Sequence, residues 1–536
     1  MSSGQAAELF RHLPLSLVVG GLLVILALVI GLSPRKNPGG LPFPPGPPRI
    51  PFLGNVLAVK MNNIRPWLTY TEWGKKYGDI VYSRILGQHY IIINSAEVAK
   101  ALLAQRYWIY SDRPGVATYN LFGLGKITIA LGHNDQWRLH RRLFHQTLRP
   151  EAMVRYQDLQ LQKARELIVN ILEEKNPLAG PENHFNTFSA SVILSIVYGY
   201  DAKQLDDPVV IGVWKLLTTF SDELYAERAA LLSAFPSLAS LPAWLPGMGF
   251  KRKGLVCQRL MDEVAGIPFD HVKEQVASGV APSSMVADFL QDESKKLVDG
   301  GQWQALEDEM KMVGASVALG GAETVSSTLL SLILALLLYP EVQKKACAEI
   351  DAVVGPDRLP SFEDRPSLPY IEAILREIMR WNPVGPLGVP HSTNTSDIYK
   401  GYYIPKGSIV IYNVWGMSRA TSDPCDPVHF NPDRHFLPNG ELSSEHVYTN
   451  NPGFGFGRRA CPGRFFAETS TWAGVVTMLA TLHFEKAKDA QGRDVEVRNE
   501  FTTGITLHPV PFRCSIKVRS AEREGEIRAL VDPSQF

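Results

Sequence analysis

Cysteine is scarce. The 536 residues hold five, at 257, 347, 425, 461 and 514, and no two form a Cys-x-x-Cys pair. An odd, scattered set argues against a disulfide framework and a structural zinc site, and suits a reducing compartment. Net charge is also lacking. Lys+Arg and Asp+Glu balance at 54 each, so composition gives no sign of nucleic acid or any other strongly charged partner. No Gly-x-Gly-x-x-Gly loop stands at a strand–helix turn and no flavin-like stretch is present, so no dinucleotide site is expected in this chain. There is no internal repeat. What the chain does have is 45% hydrophobic and 10% aromatic residues, enough for a sizeable globular core.

The stretch richest in chemistry is Phe454–Gly463, one cysteine in a glycine-rich loop with two arginines just before it. Gly455, Gly457 and Gly463 allow tight or positive-φ turns around the sulfur. Loop N–H groups and the start of an apolar helix, expected from Phe465 to Leu479, favour thiolate over thiol. A thiolate with no second cysteine nearby suits a one-cysteine metal site, and haem iron with an axial thiolate is the leading example.

A second constellation lies in the apolar segment Met310–Leu338, which contains Gly320-Gly321-Ala322-Glu323-Thr324. Each helical glycine costs about 1 kcal/mol relative to alanine. Two together imply a flat ligand close to the helix or an opened hydrogen-bond ladder. Thr324 can bond back to the Gly320 carbonyl. An acid beside a hydroxyl in an apolar wall suits proton relay. Glu377 and Arg380 share a helix face and can pair. Trp137 and Arg141 lie one helical turn apart, and Arg141 suits an anionic group.

At the N-terminus, Leu13–Leu32 is a run of twenty uncharged residues, about 30 Å long as a helix and matched to a bilayer core. Arg35 and Lys36 follow it, which places the bulk of the chain in the cytosol. A proline-rich hinge, residues 33–55, is read as a semi-rigid spacer. Expected elements are a helix from Trp67 to Tyr77 closed by Gly78, strands Ile80–Ile85 and Tyr90–Ile93, and a helix capped by Ser95. Long helices are expected over Glu151–Glu174, Phe185–Tyr198, Val209–Leu224 and Leu255–Val276. The segment Phe235–Phe250 is apolar and proline-broken, with Lys251-Arg252-Lys253 behind it, and reads as a membrane-interface loop or an inter-helix connection. Residues 519–536 are read as a charged, mobile tail.

The complete pattern Phe-x-x-Gly-x-Arg-x-Cys-x-Gly, preceded in order by Trp137, Gly320–Thr324, Glu377, Arg380 and Arg434, resembles the cytochromes P-450 from Pro42 to Val518. The resemblance implies a mainly α fold with a small β portion, preceded by one transmembrane helix (residues 13–32) and a short lumenal N-terminus (1–12), with a catalytic domain over 56–518. It implies haem b (iron protoporphyrin IX) on Cys461, in a loop that includes Phe454 and Gly463. Gly320 and Gly321 would lie along the cofactor, and Thr324 and Glu323 would activate oxygen. Trp137, Arg141, His391 and Arg459 would hold the propionates. Glu377, Arg380 and Arg434 would form a structural network behind the haem loop, although Asp433 and His435 stand where Glu and Phe are common.

The implied activity is a monooxygenase that inserts one atom of O2 into a hydrophobic small molecule, by hydroxylation or epoxidation. Its electrons would come from NADPH through a separate cytochrome P-450 reductase, with cytochrome b5 as a second donor. Arg138, Arg142, Arg458 and Arg464 would be the basic docking face. No nucleic acid is implied. The implied site is the endoplasmic reticulum membrane, with the catalytic domain cytosolic. The stretches Gly401–Gly407 and Phe501–Phe512 resemble the fungal secondary-metabolism branch, which suggests a terpenoid, polyketide or indole-type substrate. Desaturation or rearrangement on the same haem, and a membrane-anchored haem-binding protein without turnover, are the alternatives.

Overall fold

The computed structural model describes residues 37–50, 54–58, 65–174, 180–203, 206–223, 232, 236–292, 300–420, 426–444 and 451–531. The expected anchor at 13–32, the N-terminal residues 1–12 and Cys425 lie outside them. The longer helices begin with α1 (Pro66–Tyr77), α2 (Asp135–Leu148), α3 (Gln157–Glu173), α4 (Glu182–Tyr198), α5 (Pro208–Glu223) and α6 (Phe250–Ala277). They continue with α7 (Gly300–Leu338), α8 (Pro340–Val354), α9 (Pro369–Trp381), α10 (Arg464–Thr481) and α11 (Ala521–Val531).

Local chemistry sets many of the ends. Pro66, Pro340 and Pro369 open α1, α8 and α9, where a missing N–H costs nothing. Gly78, at φ 99°, closes α1. The Asn134 side chain accepts from Trp137 N at 2.9 Å and starts α2. Ser95 caps the short helix Ala96–Ala99, as expected.

The β portion is small. Strands β1 (Ile80–Ile85) and β2 (Gln88–Ile93) form the expected hairpin. β3 (His391–Ser392), β4 (Asp397–Tyr399), β5 (Tyr402–Ile404) and β6 (Ile409–Tyr412) follow, then β7 (Leu482–Lys486) and β8 (Cys514–Val518). The main sheet runs β1-β2-β6-β3, with β2 and β6 parallel and the other pairs antiparallel. The pairs β4-β5 and β7-β8 stand apart.

Helix α7 runs through the centre of the main core, packed on α4, α6 and α10. Its segment Gly301–Leu338 is long and apolar enough to cross a membrane, but it is mostly buried inside the fold and is a core helix.

Three expectations change. The single helix over Glu151–Glu174 is broken into Pro150–Met153, a 3-10 turn at Val154–Tyr156, and α3. Tyr156 leaves helical geometry (φ −105°, ψ 2°), and the bend buries both Met153 and Tyr156. The expected semi-rigid spacer is docked on the fold over Pro42–Gly46. Tyr82 N donates to Pro45 O (2.9 Å), Tyr403 N to Pro42 O (2.8 Å), and Phe43 stacks on Tyr82 at 4.4 Å. A Cβ on Gly46 would lie 2.0 Å from Tyr82 O, so only glycine fits that close approach. The C-terminal segment is also ordered, as α11. Ile527 is fully buried there, and Arg523 reaches Gly355 O at 2.7 Å. Its sparse apolar residues hid the helix because ion pairs to Asp351 and Glu173 hold much of it.

Candidate functional site

Two turns shape the cysteine loop. Gly455 (φ 75°) and Gly457 (φ 58°) take the left-handed region, and a Cβ on Gly457 would meet Leu103 O at 2.5 Å. Cys461 N then donates to Phe454 O at 2.7 Å and closes the loop. Gly463 differs from the expectation: it has φ −88° and caps α10, so its value lies in its bareness. A Cβ there would meet nothing within 4 Å. Burial pushes the Cys461 thiol up, while the Gly463 N–H, Arg141 and Arg464 pull it down. Burial wins, so the loop alone does not make the thiolate. A metal cation bound at the sulfur would add to the lowering side.

Helix α2 braces the loop. Arg141 Nη1 donates to Ala460 O at 2.9 Å, one residue before the cysteine. Trp137 is buried, and the Arg459 guanidinium stacks over its ring at 4.3 Å. Arg459 also donates to Ser111 O and Leu131 O, both at 2.8 Å.

A further arginine, missed in the sequence, joins them. Arg113 Nη1 donates to Val389 O (2.8 Å) and Pro390 O (2.6 Å), but its buried Nε has no hydrogen-bond partner. Burial pushes Arg113 down to about 10. Burial, then Arg113 and Arg141, push Arg459 down to about 9, with Asp112 the opposing carboxylate. This is a crowded, under-compensated cationic pocket, and a dianionic group would relieve it. The only hint in the sequence was an arginine in Ser111-Asp112-Arg113-Pro114.

His391 lies beside this pocket in β3. Its Nδ1 bonds Tyr110 O at 2.7 Å, and burial, with Arg113 and Arg459, pushes its pKa well down. It stands as a neutral imidazole, so an anion there would have to raise its pKa before Nε2 could donate.

Helix α7 stays helical across its glycines. Thr324 Oγ1 donates back to Gly320 O at 2.8 Å, as expected. The two glycines serve different ends. Gly320 is exposed midway along a core helix, and a Cβ there meets nothing within 4 Å. Gly321 faces α4, where a Cβ would lie 2.7 Å from Ile193 Cγ1. Gly321 is therefore a helix-packing glycine. Ser189 Oγ from α4 donates to Gly321 O (2.9 Å) and Ala322 O (2.5 Å), which locks that crossing. Glu323 accepts from Thr506 Oγ1 and lies 3.1 Å from His508 Nε2.

Glu377, Arg380 and Arg434 come together in one network. Arg380 grips Glu377 with two bonds of 2.8 Å, and Arg434 Nε donates to the same carboxylate at 3.1 Å. Asn431 N (2.8 Å) and His435 Nε2 (3.1 Å) add two more contacts. The histidine that departs from the common pattern is thus a member of the network. Burial alone would raise the Glu377 pKa, but Arg380 and His435 outweigh it and hold the pKa below the usual value.

The bare Gly320 and Gly463, the cysteine of the loop, and a cationic pocket with an unpartnered Arg113 Nε fit an iron porphyrin with its propionates. Fold and site together define a haem-thiolate protein. The cytochrome P450 family profile matches residues 44–516. Cytochrome P450 monooxygenase COX1 of Coprinopsis cinerea is 36% identical over 513 residues, covering 94% of this chain and 97% of that protein. Cytochrome P450 monooxygenase 105 of Postia placenta is 36% identical over 525 residues, 97% of each chain. Cytochrome P450 monooxygenase 45 of the same fungus is 37% identical over 494 residues, covering 92% and 90%. The chain belongs to the cytochrome P450 family, and it is a monooxygenase of that family.

Proposed function

We propose that the protein inserts one atom of O2 into a hydrophobic small molecule, by hydroxylation or epoxidation, and that Cys461 would hold haem b. The reading is supported by the Cys461 loop together with, elsewhere in the chain, the exposed Gly320 and the adjacent Glu323 and Thr324 on α7. Bound haem supplies dioxygen activation and accepts electrons one at a time. The chain's residues do the rest. Arg113, Arg141 and Arg459 hold the propionates, assisted by Trp137. Thr324 and Glu323 deliver protons from α7. Glu377, Arg380, Arg434 and His435 keep the loop rigid.

Electrons come from NADPH through a separate reductase. Three of the four docking arginines already have local contacts: Arg138 with Asp135, Arg458 with the Tyr107 ring, and Arg464 with Cys461 O. Residues 13–32 anchor the chain in the endoplasmic reticulum membrane. Trp244, 76% exposed in the apolar loop before α6, supports a second membrane contact there. The resemblance of Gly401–Gly407 and Phe501–Phe512 supports a place in fungal secondary metabolism, on a terpenoid, polyketide or indole-type intermediate.

The test is the ferrous–CO absorption spectrum of the full chain beside Cys461→Ala. A red-shifted Soret band in the wild type, absent in the variant, supports the reading. A wild type without haem, or with a histidine-ligated spectrum, overturns it.

A further inference from the structure

Glu323 is tied to a loop that has no place in the haem site just described. The loop runs from Phe501 to Pro509 and is stitched to the rest of the fold at buried points. Leu507 is fully buried, its N donates to Val384 O at 2.8 Å, and its O accepts from Ser327 Oγ on α7. Thr502 N donates to His508 O (2.8 Å) and His508 N to Thr502 Oγ1 (3.0 Å), which fixes the backbone of residue 508. Thr506 and His508 flank Leu507 in the chain. Both meet the same atom, Glu323 Oε1, by the Thr506 hydroxyl and by His508 Nε2 at 3.1 Å.

The two donors are not equivalent. A hydroxyl can orient a carboxylate but does not exchange its proton readily near neutrality, whereas an imidazole does. His508 retains 20% side-chain exposure and Glu323 13%, so the pair bridges the interior and a wetter edge. Glu500 stands at the loop entry, and the Arg65 guanidinium donates to Phe501 O at 3.1 Å.

We propose that His508 is the positioning residue of the oxygen-activating acid: with Thr506 it aims Glu323 and reloads it with protons from solvent. In each reload the His508 Nε2–H bond breaks and a Glu323 Oε1–H bond forms. Solvent then returns a proton to the imidazole, and Glu323 passes its own towards Thr324. The two protons that monooxygenation consumes with its two electrons arrive by this route. The proposal rests on the monooxygenase reading.

The experiment uses the full chain with its reductase in lipid nanodiscs, and NADPH and dioxygen as the only reactants. Without substrate, dioxygen leaves either as peroxide, with one NADPH consumed, or as water, with two consumed and more protons delivered. His508→Asn keeps a hydrogen-bond donor but loses proton exchange. It is expected to lower the rate of the water-forming branch about tenfold or more, to raise the peroxide fraction, and to flatten the pH profile of that branch. Glu323→Gln should do the same, and the double variant should add nothing further.

A second readout is independent of turnover. In the ferrous–CO protein with 13C-labelled histidine, the His508 resonance, assigned by its loss in His508→Asn, should shift in Glu323→Gln. A His508→Asn variant with normal branching and a normal pH profile overturns the proposal. So does one whose effect adds to that of Glu323→Gln, because the loop would then act only as support. An unshifted resonance overturns it too. A wild type without the thiolate Soret band would overturn the functional reading and this proposal together, whereas a normal spectrum with any of the other failures overturns this proposal alone.

Discussion

Replacing Glu377 by glutamine should be among the most damaging polar substitutions in the fold. The carboxylate is fully buried and receives two bonds from Arg380, one from Arg434, one from Asn431 N and a contact from His435. Glutamine keeps the volume but offers one oxygen and no charge. Two guanidiniums, 10% and 3% exposed, would then lose the carboxylate they share. Breaking a buried pair in this way costs about 3–5 kcal/mol, against a domain stability of about 5–15 kcal/mol.

The sign with pH follows from the lowered Glu377 pKa. The stabilisation is fully present above the ordinary glutamate value of 4.5 and is lost as pH falls through the lower folded value. Urea unfolding in detergent, followed by tryptophan fluorescence, should give a gap of that size at pH 7 that shrinks as the medium is acidified below about pH 4.5. His435→Phe, which restores the residue common elsewhere, should cost only about 1 kcal/mol because the other donors remain. A Glu377→Gln midpoint within about 0.5 kcal/mol of wild type at pH 7 would refute the reasoning.

Two further outcomes are expected. Arg113→Ala should speed haem loss to an apomyoglobin acceptor about tenfold or more, since charge-assisted hydrogen bonds are worth about 1.5–3 kcal/mol; unchanged loss would remove Arg113 from the propionate pocket. The paired glycines should separate cleanly. Gly321→Val should destabilise the protein by about 1–3 kcal/mol through overpacking against Ile193. Gly320→Ala should be neutral, or stabilising by about 1 kcal/mol, in the haem-free chain, and equal effects in denaturant titrations would refute the assignment.

The family signature was legible because its chemistry is local. The cysteine loop, the Gly320–Thr324 run and the Glu-x-x-Arg pair each work through residues a few positions apart, and sequence spacing carries that information directly. The same holds for α1, the β1-β2 hairpin and the Ser95 cap, where proline, glycine and a hydroxyl act on their own neighbours.

Other features depended on which distant backbones meet. Whether Gly321 faced a ligand or Ile193 depended on where α4 crosses α7. Arg113 gained meaning only beside Arg459 and His391, and His435 only when its turn met Glu377. The link from His508 to Glu323 spans 185 positions. Helix α11 was hidden because its stability comes from partners on α3 and α8, which its own pattern does not show. Sequence alone determined which chemistry the chain carries. Tertiary packing decided which of two adjacent glycines is bare, which arginines share a pocket and which loop holds the acid, because those are properties of contacts between segments far apart in the chain.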